Sequence, residues 1–104
     1  MEDGWHDVAA VEELPEDDVM QVTAGQAVLA LYRVGDDFYA TDDCCTHEEA
    51  SLADGYLQDD TIECPRHQGV FHIPTGRAME PPVTESVRVY PVRVEGERVL
   101  VQVG

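Results

Sequence analysis

The last third of the chain carries the clearest pattern. Val87, Val89 and Val92 sit among polar partners, Glu95-Gly96 interrupts, and Val99, Val101 and Val103 resume. A period of two sends successive side chains to opposite faces, so this pattern predicts two strands around a tight turn. Earlier, Gln26 to Val34 is apolar and rich in β-formers; Gly35-Asp36 follows, then Phe38, Tyr39 and Ala40. Two such runs around a short Gly/Asp turn predict a hairpin. A second hairpin is expected from Gly55 to Cys64, turning at Asp59-Asp60. Val11 to Met20 is acidic, contains Pro15, and reads as a loop. Tyr32, Phe38, Tyr39 and Tyr90 fall on predicted strands, where packing is the default role. Pro91 lacks a ladder donor and marks its strand as an edge or a bulge. Gly and Pro interrupt the chain too often for a helical period. The expected fold is all-β, a small antiparallel sandwich or barrel.

Composition narrows the class. A chain of 104 residues is expected to form one domain, 1–104. Hydrophobic residues make up 43%, too many for a disordered acidic tail. Charge excludes more: 22 acidic residues face 6 basic ones, all arginine, for a formal net charge of −16. Nucleic acid needs a basic footprint and is excluded as a partner. An anionic membrane surface is disfavoured for the same reason. The acidity reads either as a docking surface for electropositive proteins or as a solvated, salt-adapted shell. No apolar run approaches the roughly 20 residues of a spanning helix. Met1 to Asp7 is acidic where a signal peptide is basic. Three cysteines cannot all pair with each other, so a thiol-keeping cytoplasmic setting is expected; the chain is expected to be a monomer.

Two short segments carry chemistry: Cys45-Thr46-His47 and Cys64-Pro65-Arg66-His67, with 16 residues between His47 and Cys64. Each offers a thiolate and an imidazole in a loop just past a predicted strand. Soft sulfur with borderline nitrogen suits zinc or iron–sulfur. A structural zinc site usually begins C-x-x-C, which is absent here. A catalytic Cys–His pair would not need a second pair of the same composition. Cys44-x-x-His47 repeats the spacing of Cys64-x-x-His67, so Cys44 competes with Cys45 for the ligand role; otherwise it reads as a small buried side chain. His72 reads as a surface or supporting residue, and His6, beside Trp5, as packing. Asp42, Asp43, Glu48 and Glu49 flank the first segment, either as a negative collar that orients docking or as a solvated loop.

The pattern C-x-H, 16 residues, C-x-x-H resembles the Rieske [2Fe–2S] fingerprint. Gln68-Gly69-Val70-Phe71, the stretch Ile73 to Gly76 and the pair Pro81-Pro82 extend the likeness. In size and as a solo domain, the chain is similar to ferredoxin components of bacterial aromatic-ring-hydroxylating dioxygenases. The resemblance implies one [2Fe–2S] cluster, held by Cys45 and Cys64 on one iron and His47 and His67 on the other. It implies a cluster-binding subdomain of about 43–82 and a chain that turns over no substrate. The implied partners are a flavin-dependent, NAD(P)H-oxidising reductase and a terminal Rieske oxygenase. A small subunit of a nitrite-reductase-like complex and a structural zinc module are the alternatives. High-potential relatives carry an extra cysteine in each loop and a Ser and a Tyr hydroxyl near the cluster. Ala50, Arg66, Gly69 and Phe71 stand in those places, which implies a potential low in the Rieske range.

Overall fold

Tight turns organise the chain in the computed structural model, which describes residues 4–44, 50–65, 69–80 and 86–103. In chain order the strands are β1 (Trp5–Ala10), β2 (Asp18–Ala24), β3 (Ala27–Val34) and β4 (Asp37–Asp42). Next come β5 (Tyr56–Gln58), β6 (Thr61–Glu63), β7 (Val70–His72) and β8 (Ala78–Glu80), then β9 (Val89–Tyr90), β10 (Val92–Glu95) and β11 (Arg98–Gln102). Two short 3₁₀ turns, Val11–Glu13 and Leu52–Asp54, are the helical segments among the described residues. No helix among them is long and apolar enough to cross a membrane.

The predicted hairpins form. Residues 35–36, 59–60 and 96–97 connect their strands as two-residue turns, and a fourth such turn joins β2 to β3 at 25–26. Each turn opens on a residue with positive φ: Gly25, Gly35, Asp59 and Gly96. That geometry matches the right-handed twist of the flanking strands.

Three antiparallel sheets result, in the orders β1-β11-β10, β2-β3-β4-β9 and β5-β6-β7-β8. The middle sheet explains why Leu29 to Tyr32, all fully buried, reads as an unbroken apolar run. Leu29 and Leu31 of β3 pack with Ala9, Val99 and Val101 of the first sheet. Ala30 and Tyr32, on the opposite face, pack with Ile62, Phe71 and Ile73 of the small sheet and the segment after it. A strand covered on both faces needs apolar side chains at every position.

Two segments depart from the sequence reading. The acidic stretch after β1 is a loop only to residue 17; β2 begins at Asp18 and pairs with β3 from Asp18↔Arg33 to Ala24↔Ala27. Leu14, inside that loop, is buried and joins the core of the first two sheets. The N-terminal segment is also a strand: β1 pairs with β11 from Trp5↔Gln102 to Ala10↔Arg98, with a register shift between Asp7 and Ala9. Arg98 grips the Asp7 carboxylate across that pair, at 2.7 Å for the closest contact, and holds the exposed Asp7 carboxyl below its ordinary pKa.

Pro91 stands where the chain changes sheets. β9 pairs with β4 in the middle sheet, whereas β10 pairs with β11 in the first. Both are edge strands, so the missing proline donor breaks no ladder.

Gly76 ties the small sheet to the middle one. Its carbonyl accepts from the Val87 amide at 2.8 Å. Its φ is +74°, and a Cβ there would stand 2.1 Å from the Val87 carbonyl oxygen. Only glycine fits both conditions.

Candidate metal centre

Of the four ligands expected from the sequence, Cys64 lies among the described residues; Cys45, His47 and His67 lie outside them, as do Glu48, Glu49, Pro81 and Pro82. Among the described residues no group of three or more His, Cys, Asp or Glu is placed to hold a metal ion. The described residues show how the roots of the two loops are built.

The second loop leaves β6 at Cys64. Its thiol is fully buried with Ile62, Phe71, Leu52 and Val87. The Cys64 amide donates to the Gly69 carbonyl at 2.7 Å, closing the loop on itself. β6 and β7 pair from Thr61↔His72 to Glu63↔Val70, so the hairpin stem runs straight into that closure.

The first loop leaves β4 at Asp43 and returns at Ser51. Asp43 is 5% exposed, and its carboxylate is a junction. Oδ1 accepts from the Ser51 hydroxyl at 2.9 Å and the Ala53 amide at 3.0 Å. Oδ2 accepts from the Gln21 side-chain amide of β2 at 2.8 Å. The backbone of Asp43 donates to the Val28 carbonyl at 3.2 Å and accepts from the Leu52 amide at 2.7 Å. One residue therefore clamps both ends of the loop to the middle sheet. Cys44 forms an isolated bridge with Ser51 beside it and is exposed, contrary to the expectation of a buried side chain. The reason is its position: the chain has left β4, and among the described residues no layer covers it.

The collar reading is corrected for Asp42 and Asp43, its two members among the described residues. Asp43 is an internal clamp, and Asp42 accepts a short hydrogen bond from the Tyr90 hydroxyl of β9. Burial, and then the Asp42 contact, raise the pKa of Tyr90. Behind them the buried Tyr32 hydroxyl meets the Thr41 hydroxyl at 2.8 Å, and Thr41 donates to the Asp42 carbonyl at 2.9 Å. Thr41 has one proton to give, so Tyr32 is the donor in the first of these bonds. Burial raises the Tyr32 pKa well above its ordinary value. The role of Asp43 had no signal in its own letter; a second aspartate before a cysteine looks like surface charge until its burial is known.

His72 holds the far end of the small sheet. Its Nε2 lies 3.0 Å from Asp60 Oδ2 and its Nδ1 lies 2.8 Å from Thr75 Oγ1. His72 is half-buried, and both partners lie in turns of the small sheet itself.

The two loops share one foundation. Leu52 and Ala50, at the return of the first, pack in the same core as Cys64, at the root of the second. A buried sulfur donor at one root, with a second cysteine- and histidine-bearing loop rooted beside it, fits an iron–sulfur group bridging the two.

Comparison with known proteins agrees. Residues 4–91 match the Rieske [2Fe-2S] domain family. The chain is 48% identical over 101 residues to the ferredoxin component of the naphthalene 1,2-dioxygenase system of Pseudomonas aeruginosa, covering 97% of each. It is 44% identical over 100 residues to the anthranilate 1,2-dioxygenase ferredoxin subunit of Burkholderia cepacia, covering 96% of this chain and 93% of the relative. It superposes with a TM-score of 0.90, at 42% identity, on a chain of the solved complex of reduced oxygenase and oxidized ferredoxin in carbazole 1,9a-dioxygenase, covering 97% of this chain and 94% of that one.

Proposed function

Because the chain belongs to the Rieske [2Fe-2S] domain family, we propose that it carries single electrons from a flavin-dependent, NAD(P)H-oxidising reductase to the terminal oxygenase of an aromatic-ring dioxygenase system. The observation that carries this reading is coverage: the likeness to dioxygenase ferredoxin components runs through 97% of both chains. The complex of oxygenase and ferredoxin containing a structural relative supports an oxygenase as the electron acceptor. The chain itself turns over no substrate, acts as a monomer, and docks transiently, since a carrier must leave both partners.

The ligands in this proposal are Cys45 and Cys64 as thiolates and His47 and His67 as neutral imidazoles. The subdomain that holds them spans about 43–82 within a single domain. When bound, the cluster supplies one reversible electron at a potential raised by its two neutral ligands. The chain's own residues do the rest. Asp43 and the Cys64–Gly69 closure hold the two loops at a fixed separation, and the shared core keeps water from the Cys64 sulfur. Phe71 is fully buried and offers no hydroxyl, so the side chain at this position gives the cluster no hydrogen-bond donor.

The test is iron and sulfide analysis with electron paramagnetic resonance of the dithionite-reduced protein. About two irons and two acid-labile sulfides per chain, with a Rieske-type signal, are expected. A colourless protein holding one zinc would overturn the reading. The midpoint potential is expected below about +100 mV, within a family range of roughly −150 to +300 mV.

A further inference from the structure

The small sheet has two unlike faces. Leu57, Ile62 and Phe71 point inward, so their strand neighbours Tyr56, Glu63 and Val70 point out, side by side across β5, β6 and β7. At the register shift between β7 and β8, Met79 is the extra residue between the paired Ala78 and Glu80, and it lines the same face as Val70. Tyr56 is 66% exposed and Met79 is 51% exposed. Together with Gln58, Thr61, Glu63 and Val70 they line an open concavity of about 350 Å³. Exposed apolar side chains scattered singly need no explanation, but a tyrosine and a methionine on one concave face do. These are residue types enriched where proteins meet.

The position of this face adds the second argument. Glu63 and Val70 immediately flank the loop from Cys64 to Gly69. A protein seated on the face therefore also reaches the loop assigned to the cluster. Charge supplies the third. The chain has a formal net charge of −16, and Glu63 lies within the concavity itself. A second copy would bring like charge against like, whereas a partner with basic side chains around an apolar centre is complementary.

We propose that this outer face, centred on Tyr56, Val70 and Met79, seats the terminal oxygenase, which presents an apolar projection ringed by basic side chains. The proposal rests on the carrier reading above and extends the contact from the cluster loops onto the sheet beside them.

The test uses cluster-loaded protein and three variants of equal charge change: Tyr56→Lys, Met79→Lys and, as the control, Val94→Lys. Val94 is 46% exposed on β10, in a different sheet. Each dithionite-reduced protein is mixed at low salt with the oxidised terminal oxygenase of the Pseudomonas aeruginosa naphthalene 1,2-dioxygenase system. Reoxidation is followed by stopped-flow absorbance. Tyr56→Lys and Met79→Lys are expected to lower the second-order rate constant about tenfold, and Val94→Lys less than about twofold. Equal rates in all three would overturn the face. So would slowed reduction by the system's reductase with delivery to the oxygenase unchanged, or a wild-type dimer in gel filtration that the face variants dissociate. If wild-type protein with an intact spectrum fails to reduce the oxygenase, the carrier reading fails and takes this face with it.

Discussion

Replacing Asp43 by alanine is expected to loosen the first cluster loop more than any other single change at its root. The substitution strands three donors: the Ser51 hydroxyl, the Ala53 amide and the Gln21 side-chain amide. Gln21 is exposed, so water replaces its lost acceptor at little cost. Stranding a fully buried donor costs about 1–3 kcal/mol; Ser51 and Ala53 are half-buried, so each loses about 1–2 kcal/mol. The two together come to about 2–4 kcal/mol, a large part of the 5–15 kcal/mol that holds a typical domain folded. At about 1.4 kcal/mol per tenfold, loop opening becomes roughly 30- to 1,000-fold more frequent. The assay is release of iron from the oxidised protein to a ferrous chelator after reduction, run beside a thermal melt. Asp43→Ala should release iron at least about tenfold faster than wild type, because opening limits access to the metal. Asp43→Asn keeps one oxygen for Ser51 and Ala53, and its new amide can donate to a flipped Gln21 carbonyl. It should therefore stay within about threefold of wild type, since neutral hydrogen bonds replace charged ones of the same geometry. If Asn releases iron as fast as Ala, geometry at Asp43 is not what holds the loop. If Ala behaves as wild type, the clamp itself is refuted.

Three further outcomes are expected. Cys45→Ser should lose its iron while Cys44→Ser keeps it, measured by iron content; the reverse result would assign the ligand to Cys44. Gly76→Ala should destabilise the fold by about 3 kcal/mol or more in denaturant melts, because a Cβ meets backbone that cannot move aside and the φ is left-handed; a cost under about 1 kcal/mol would contradict the close approach. Stability should fall as pH rises above about 10, the ordinary tyrosine pKa. The sign follows from Tyr32 and Tyr90: their pKa values are raised in the fold, so ionisation favours the unfolded chain once pH passes the unfolded value. Tyr32→Phe should flatten that alkaline slope and lower stability at neutral pH by about 1 kcal/mol, for the lost bond to Thr41. An unchanged slope in urea melts across that pH range would dismiss the Tyr32 contribution.

Local chemistry was enough to read much of this protein. Alternating valines, a doubly apolar run and Gly/Asp turns specify strands and hairpins through interactions a few residues apart. The family fingerprint was legible because metal chemistry demands particular donor types at particular spacings. Local letters could not place β1, whose six residues become a strand because β11 offers a partner more than 80 positions away. Nor could they show β2 beginning inside an acidic stretch, because its pairing with β3 outweighs the propensity of its first residue. The same holds for Asp43, Cys44 and Tyr56. Whether an aspartate is a solvated charge or a clamp, a cysteine covered or bare, a tyrosine core or contact, depends on which layer comes to lie over it. Burial is a property of the assembled layers, and hydrogen-bond partners such as Gln21 and Ser51 become neighbours of Asp43 only once the sheets have met.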